Sequence, residues 1–151
     1  MIPNGLAVAS PAAALVVERG MIDHLTIVVS DYERSKAFYL AALAPLGYAT
    51  VMELSRELIP MLPVEKTIGI GIGGKPELWL RPSSDPVTPV HIALRADDRA
   101  TVDTFHRAAM AAEGKDNGPP GVRPHYHANY YGAFVLDPDG HNLEAVCHAA
   151  E

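Results

Sequence analysis

The chain repeats itself. With His24 laid on His91, an offset of 67, seven of the 24 pairs from His24 to Gly47 are identical, where unrelated sequences of ordinary composition give about one or two. The identities pair His24 with His91, Asp31 with Asp98, Phe38 with Phe105, Ala41 with Ala108, Ala42 with Ala109, Ala44 with Ala111 and Gly47 with Gly114. At the same offset Gly73 falls on Gly140 and Glu77 on Glu144. A unit this short buries its apolar face poorly alone, so the two copies are expected to share a core. A chain of 151 residues has room for that pair and little more.

Both copies open as strand then helix. From Asp23 to Val29, residues Leu25, Ile27 and Val29 take one face and His24, Thr26 and Val28 the other. Ser30, with Glu33 three residues on, reads as a capping box. Ser35, Phe38, Tyr39, Ala42 and Leu46 then share a helical face, and Pro45 and Gly47 end the helix. In the second copy Ile92 and Leu94 face the core beside His91, Ala93 and Arg95, Asp97 caps, and Val102, Phe105, Ala109 and Met110 form the stripe that Gly114 stops.

Further strands are predicted at 48–54, 67–72 and 77–80 in the first copy. In the second, a Gly/Pro-rich stretch at 117–124 leads to strands at 130–136 and 142–148. Asp137-Pro138-Asp139-Gly140 joins these two as a tight turn, Pro presetting φ and Gly accepting a positive one. The expected fold is α+β: two βαβββ modules, 21–82 and 88–148, curling into a barrel-like mixed sheet around one cavity. Residues 1–20, Ala- and Val-rich without a strong period, read as an N-terminal extension to a single domain at 21–151.

Composition narrows the function. A net charge of −6 without a Lys/Arg stripe gives nucleic acid no electrostatic footing. The apolar run from Leu6 to Val17 is broken by Ser10 and Pro11 and falls short of the roughly 20 residues of a membrane span, so no membrane partner is expected. The single cysteine, Cys147, fits a reducing compartment, and the cytoplasm is the expected location. It shares a strand face with Leu143 and Ala145, opposite Glu144, and reads as core.

The duplication places a His on the first strand and a Glu on the last strand of each module: His24 with Glu77, and His91 with Glu144. Imidazoles and carboxylates converging on one point suit a divalent metal ion such as Zn, Ni, Mn, Fe or Co. The alternative is a pocket that holds an organic ligand without metal. Trp79, two residues from Glu77, is expected to look into the same cavity. His125, His127 and Tyr130, in a loop dense in polar and aromatic side chains, either contact a substrate or pack the barrel mouth. His106 and His141 are expected in water.

Asp23-His24-Leu25, Val29-Ser30-Asp31 with Arg34-Ser35 and Phe38-Tyr39, Glu77-Leu78-Trp79-Leu80, His91-Ile92-Ala93-Leu94 and Asp137-Pro138-Asp139-Gly140 with Leu143-Glu144 together resemble the vicinal oxygen chelate superfamily. That superfamily holds glyoxalase I, extradiol dioxygenases, fosfomycin-modifying enzymes and bleomycin-binding proteins. The match spans 21–148, and the His, Glu, His, Glu set is most similar to glyoxalase I. The resemblance implies metal ligation by His24, Glu77, His91 and Glu144, a small-molecule substrate that chelates the ion through neighbouring oxygens, and proton transfer by Glu144 or Glu77, with Glu144 slightly favoured. It implies a lyase or isomerase; the alternatives within the family are a ring-cleaving iron dioxygenase using His24, His91 and Glu144, or a metal-free drug- or metabolite-binding protein. It also implies a homodimer, in some relatives with one cavity built from both chains. Four residues after His24 and Glu77, where glutathione-dependent glyoxalases carry Arg and Asn, stand Val28 and Arg81, so the likeness does not extend to glutathione recognition. Arg95, four after His91, is left as a substrate contact or a solvated rim residue.

Overall fold

A computed structural model describes residues 22–150; the extension assigned to 1–20 lies outside the described residues. The first module comprises β1 (Leu25–Val29), α1 (Tyr32–Leu43), a 3₁₀ turn (Ala44–Leu46), β2 (Ala49–Ser55), β3 (Lys66–Ile72) and β4 (Lys75–Pro82). The second comprises β5 (His91–Arg95), α2 (Arg99–Ala111), β6 (Lys115–Val122), β7 (Tyr131–Leu136) and β8 (Asn142–Cys147). Each module forms one four-stranded sheet, in the orders β1-β4-β3-β2 and β5-β8-β7-β6. The first strand runs parallel to the last and the other pairs are antiparallel. This is the expected α+β arrangement of two βαβββ units. The two sheets share no strand pairing, so the barrel is not closed.

Period-two alternation sets the faces. Ile27, Val29, Leu78 and Leu80 in one sheet, and Val135, Leu143, Ala145 and Cys147 in the other, are buried in one cluster with Phe38, Tyr39, Val102 and Phe105 of the helices. Helix α1 also packs on α2, which joins the modules. Met110, assigned to the stripe of α2, is instead 38% exposed.

Both helices start one residue later than the sequence suggested. Asp31 and Asp98 are the N-caps, accepting from the backbone N–H of Arg34 and Thr101. Ser30 instead faces the other module, giving both its N–H and its hydroxyl to Asp139. The Gly/Pro-rich stretch at 117–124 is largely strand β6. Its prolines are tolerated because β6 lies at the sheet edge and its register shifts twice along β7.

The turn after β7 fastens the modules together. Asp137 accepts from the Tyr39 hydroxyl (2.9 Å) and from its own turn's backbone N–H groups at Asp139 and His141. Asp139 also accepts from the Ser35 hydroxyl (3.4 Å). His141 is buried, contrary to its expected solvation, because both ring nitrogens have partners: Nδ1 accepts from Val90 N–H (3.1 Å) and Nε2 donates to the Val28 carbonyl (2.8 Å). Gly140, at φ 87°, lets the turn close.

Candidate metal centre

Strand β8 presents Glu144 on the face opposite Leu143 and Ala145. Its register partners are Ala93 on β5 and Phe134 on β7. The carboxylate is 1% exposed. Its Oε2 lies 2.9 Å from His91 Nε2, and its Oε1 accepts from the Tyr130 hydroxyl at 2.5 Å. Neither partner is a permanent cation, so the second module holds a buried carboxylate in want of positive charge. The 2.9 Å between the His91 nitrogen and the Glu144 oxygen is a hydrogen-bond distance, and two neighbouring ligands at about 90° on one ion, with bonds of about 2.0–2.2 Å, stand as close. This donor pair fits a divalent cation.

The surroundings keep that pair in place. The His91 ring stands 6.1 Å from that of Phe134. Gly132 leaves the space that Glu144 occupies, since a Cβ there would lie 3.1 Å from Oε1 and 3.2 Å from the Tyr130 ring. Tyr130 is flanked by Tyr126, His127 and His148, with ring centroids 4.8, 5.4 and 5.3 Å away. Burial first, and acceptance by Glu144 second, push the Tyr130 hydroxyl's pKa up, so it stays a donor. Of the loop residues named as substrate contacts, His125 lies tilted against Tyr126 (ring centroids 4.3 Å) and His127 bonds His148 (2.8 Å), and both are exposed. Arg95 is exposed on the same strand face as His91, at the level of Val146.

The first module's pair is arranged differently. Leu25 is opposite Leu78, which sets His24 beside Glu77, and the two line one crevice of about 250 Å³ with Tyr48, Leu25 and Ile92. Glu77 is the extra residue of a β-bulge: Ile70 pairs with Leu78, but the next residue, Gly71, pairs with Pro76. Its Oε2 accepts from the Tyr48 hydroxyl at 2.7 Å. Burial, then that carboxylate, raise the Tyr48 pKa as well. Trp79 therefore does not share a cavity with Glu77. It lines a separate pocket of about 210 Å³ with His24, Thr26, Arg81 and Leu62, its indole lying across Gly69. His24 lines both this pocket and the Glu77 crevice.

The two pairs do not meet within the chain. No three of His24, Glu77, His91 and Glu144 bring their donor atoms within 4.8 Å of one another. Among the described residues the group that does so is Asp137, Asp139 and His141, close enough to share an ion. Its hydrogen bonds speak for a fastening role, because His141 has no ring lone pair left: one nitrogen accepts Val90 N–H and the other bears the proton given to Val28. Tyr48, His148 and Gly132 were not picked out by the sequence. Tyr48 lies 29 residues from the carboxylate it holds, a separation that no local motif encodes.

A glyoxalase/bleomycin resistance protein from Albidiferax ferrireducens T118 is 25% identical, with a TM-score of 0.68 over 86% of this chain and 100% of its own. A hypothetical protein from S. aureus is 27% identical, with a TM-score of 0.58 over 85% of this chain and 99% of its own. A glyoxalase/bleomycin resistance protein/dioxygenase family enzyme from Burkholderia phytofirmans PsJN shares the fold at 18% identity and a TM-score of 0.60, covering 85% and 98%. No protein-family model and no curated protein matches the sequence. With its paired βαβββ modules, the chain shares the fold of the glyoxalase/bleomycin resistance/dioxygenase proteins, the vicinal oxygen chelate superfamily. No described helix is long and apolar enough to cross a membrane.

Proposed function

We propose that the chain is a metal-dependent small-molecule enzyme, a lyase or isomerase whose substrate offers two neighbouring oxygens. The observation that carries this reading is the buried Glu144 carboxylate with His91 Nε2 at 2.9 Å. His91 and Glu144 would hold the ion, with His24 and Glu77 as the further donors, and the cation would supply Lewis acidity to the substrate's oxygens. Of the two carboxylates, Glu144 is enclosed and bonded through both oxygens, which suits a ligand. Glu77 is half-buried and bonded through one, which suits a group that takes a proton from carbon and returns it to the neighbouring carbon. Proton transfer is therefore assigned to Glu77, reversing the slight preference for Glu144. Tyr130 touches Glu144 and Trp79 shares a pocket with His24; with Arg95, His125 and His127 they are the residues offered as substrate contacts.

The same reading makes the protein a homodimer, in which His24 and Glu77 of a second copy complete the set begun by His91 and Glu144. Leu58 (71% exposed) and Met61 (94%) support this as apolar surface in the β2–β3 loop that walls the His24–Trp79 pocket.

The test is metal content of full-length protein purified without chelator, beside His91→Ala and Glu144→Gln. Stoichiometric metal in the parent and its loss in both variants are expected, with a hydroxamate, which offers two neighbouring oxygens, binding only the loaded parent. Equal hydroxamate binding by metal-stripped protein would instead establish a metal-free binding pocket. One observation favours a second reading: Tyr48 already engages the Glu77 carboxylate, and with Glu77 held back from the ion a two-His, one-carboxylate iron set of His24, His91 and Glu144 is left. Oxygen uptake with ferrous iron and a catechol would identify that ring-cleaving chemistry.

A further inference from the structure

Each carboxylate of the duplicated pair is held by a tyrosine hydroxyl, and the repeat did not supply either tyrosine. Tyr130 donates to Glu144 Oε1 and Tyr48 donates to Glu77 Oε2. At the offset of 67, Tyr48 falls on Lys115 and Tyr130 on Pro63, so the same contact is built from unrelated places in the two modules. Tyr48 follows the turn after α1, whereas Tyr130 immediately precedes β7.

We infer that Tyr130 and Tyr48 are positioning residues that make Glu144 and Glu77 one-oxygen metal ligands. The inference rests on the metal-dependent reading above. A carboxylate has two oxygens that compete for one ion, and a hydroxyl fixed on one of them turns the other toward it. At Glu144 the oxygen left over, Oε2, is the one facing His91 Nε2. The Tyr130 ring cannot easily swing away, being edge-on to both His127 and His148 and packed beside Tyr126. Gly132 is part of the same device, because a side chain there would press on both the Glu144 oxygen and the Tyr130 ring. At Glu77 the Tyr48 hydroxyl leaves Oε1 without a hydrogen bond among the described residues.

Full-length parent, Tyr130→Phe, Tyr48→Phe, Glu144→Gln and Tyr32→Phe are titrated with cobalt(II), following heat by calorimetry and the visible absorption of the bound ion. Each Phe variant keeps the ring and removes only the hydroxyl. The expected result is a loss of cobalt affinity of about 10–100-fold in Tyr130→Phe and in Tyr48→Phe, as for other groups that orient a ligand. An altered cobalt spectrum should accompany it as the freed second oxygen joins the ion. Tyr32→Phe, which removes a hydroxyl bonded to a carboxylate outside the site, Glu53, should match the parent in both readouts. Parent-like affinity and spectra in Tyr130→Phe and Tyr48→Phe, with cobalt lost in Glu144→Gln, would overturn the positioning role and leave the metal site standing. A parent that binds no cobalt would overturn both.

Discussion

Replacing His141 by alanine separates a fastening from a metal site. The imidazole is buried and bridges the last residues of β1 to the entry of β5, donating to the Val28 carbonyl at 2.8 Å and accepting Val90 N–H at 3.1 Å. Removing it strands one acceptor and one donor, each costing about 1–3 kcal/mol when water cannot reach it. Val90 is 45% exposed, so its N–H recovers a water and only part of its share is lost. With the void left by the ring, the sum is about 3 kcal/mol. For a chain of this size that is a fall in Tm of roughly 6–12 °C. Urea and thermal unfolding followed by circular dichroism read this directly, at an unchanged urea m-value. Metal content should equal the parent's. A loss of stability below about 1 kcal/mol, or a folded variant that has lost its metal, would refute the assignment of this turn to holding the modules together.

Three further outcomes follow from the same contacts. Gly132→Ala forces Glu144 Oε1 and the Tyr130 ring apart by a few tenths of an ångström; it should lower stability by about 1–3 kcal/mol and weaken cobalt binding, both measurable on one sample. Gly69→Ala places a methyl 3.0 Å from the Trp79 indole, so the tryptophan emission maximum should shift as the ring is displaced, while unchanged emission would place the indole elsewhere. The Thr101 N–H holds the Asp98 carboxyl below its ordinary range. Its contribution is therefore present above the unfolded value of about 3.9 and lost as pH falls through the lower folded value. Asp98→Asn still caps the helix and should show a shallower loss of stability below about pH 4 than the parent; an identical acid limb would contradict this.

The repeat and the alternation of apolar residues made much of this fold readable. Ile27 and Val29 fall on the face expected, and so do Leu143, Glu144 and Cys147, because strand period alone decides them; Leu25, at the open end of β1, is 38% exposed instead of buried. What the sequence hid depends on contacts distant in the chain. Ser30 looks like a cap, yet in the fold it faces Asp139, 109 residues on. Glu77 looks aligned with Trp79 until the bulge opposite Gly71 inserts an extra residue. That bulge needs glycine, since the Lys75 carbonyl lies 1.9 Å from where a Cβ would stand. His141 looks solvated in a turn until Val28 and Val90 close on both of its nitrogens. The pairing of His91 with Glu144 was legible as two candidate ligands; Tyr130 as the second partner of that carboxylate was not, because nothing local marks a hydroxyl for a strand 14 residues away.

Anomalous diffraction from crystals of the full chain grown with zinc locates the ion without reference to activity. The peak is expected between His91 Nε2 and Glu144 Oε2. A peak seated instead on Asp137, Asp139 and His141, or no ordered zinc at Glu144, would contradict the metal centre proposed for this protein.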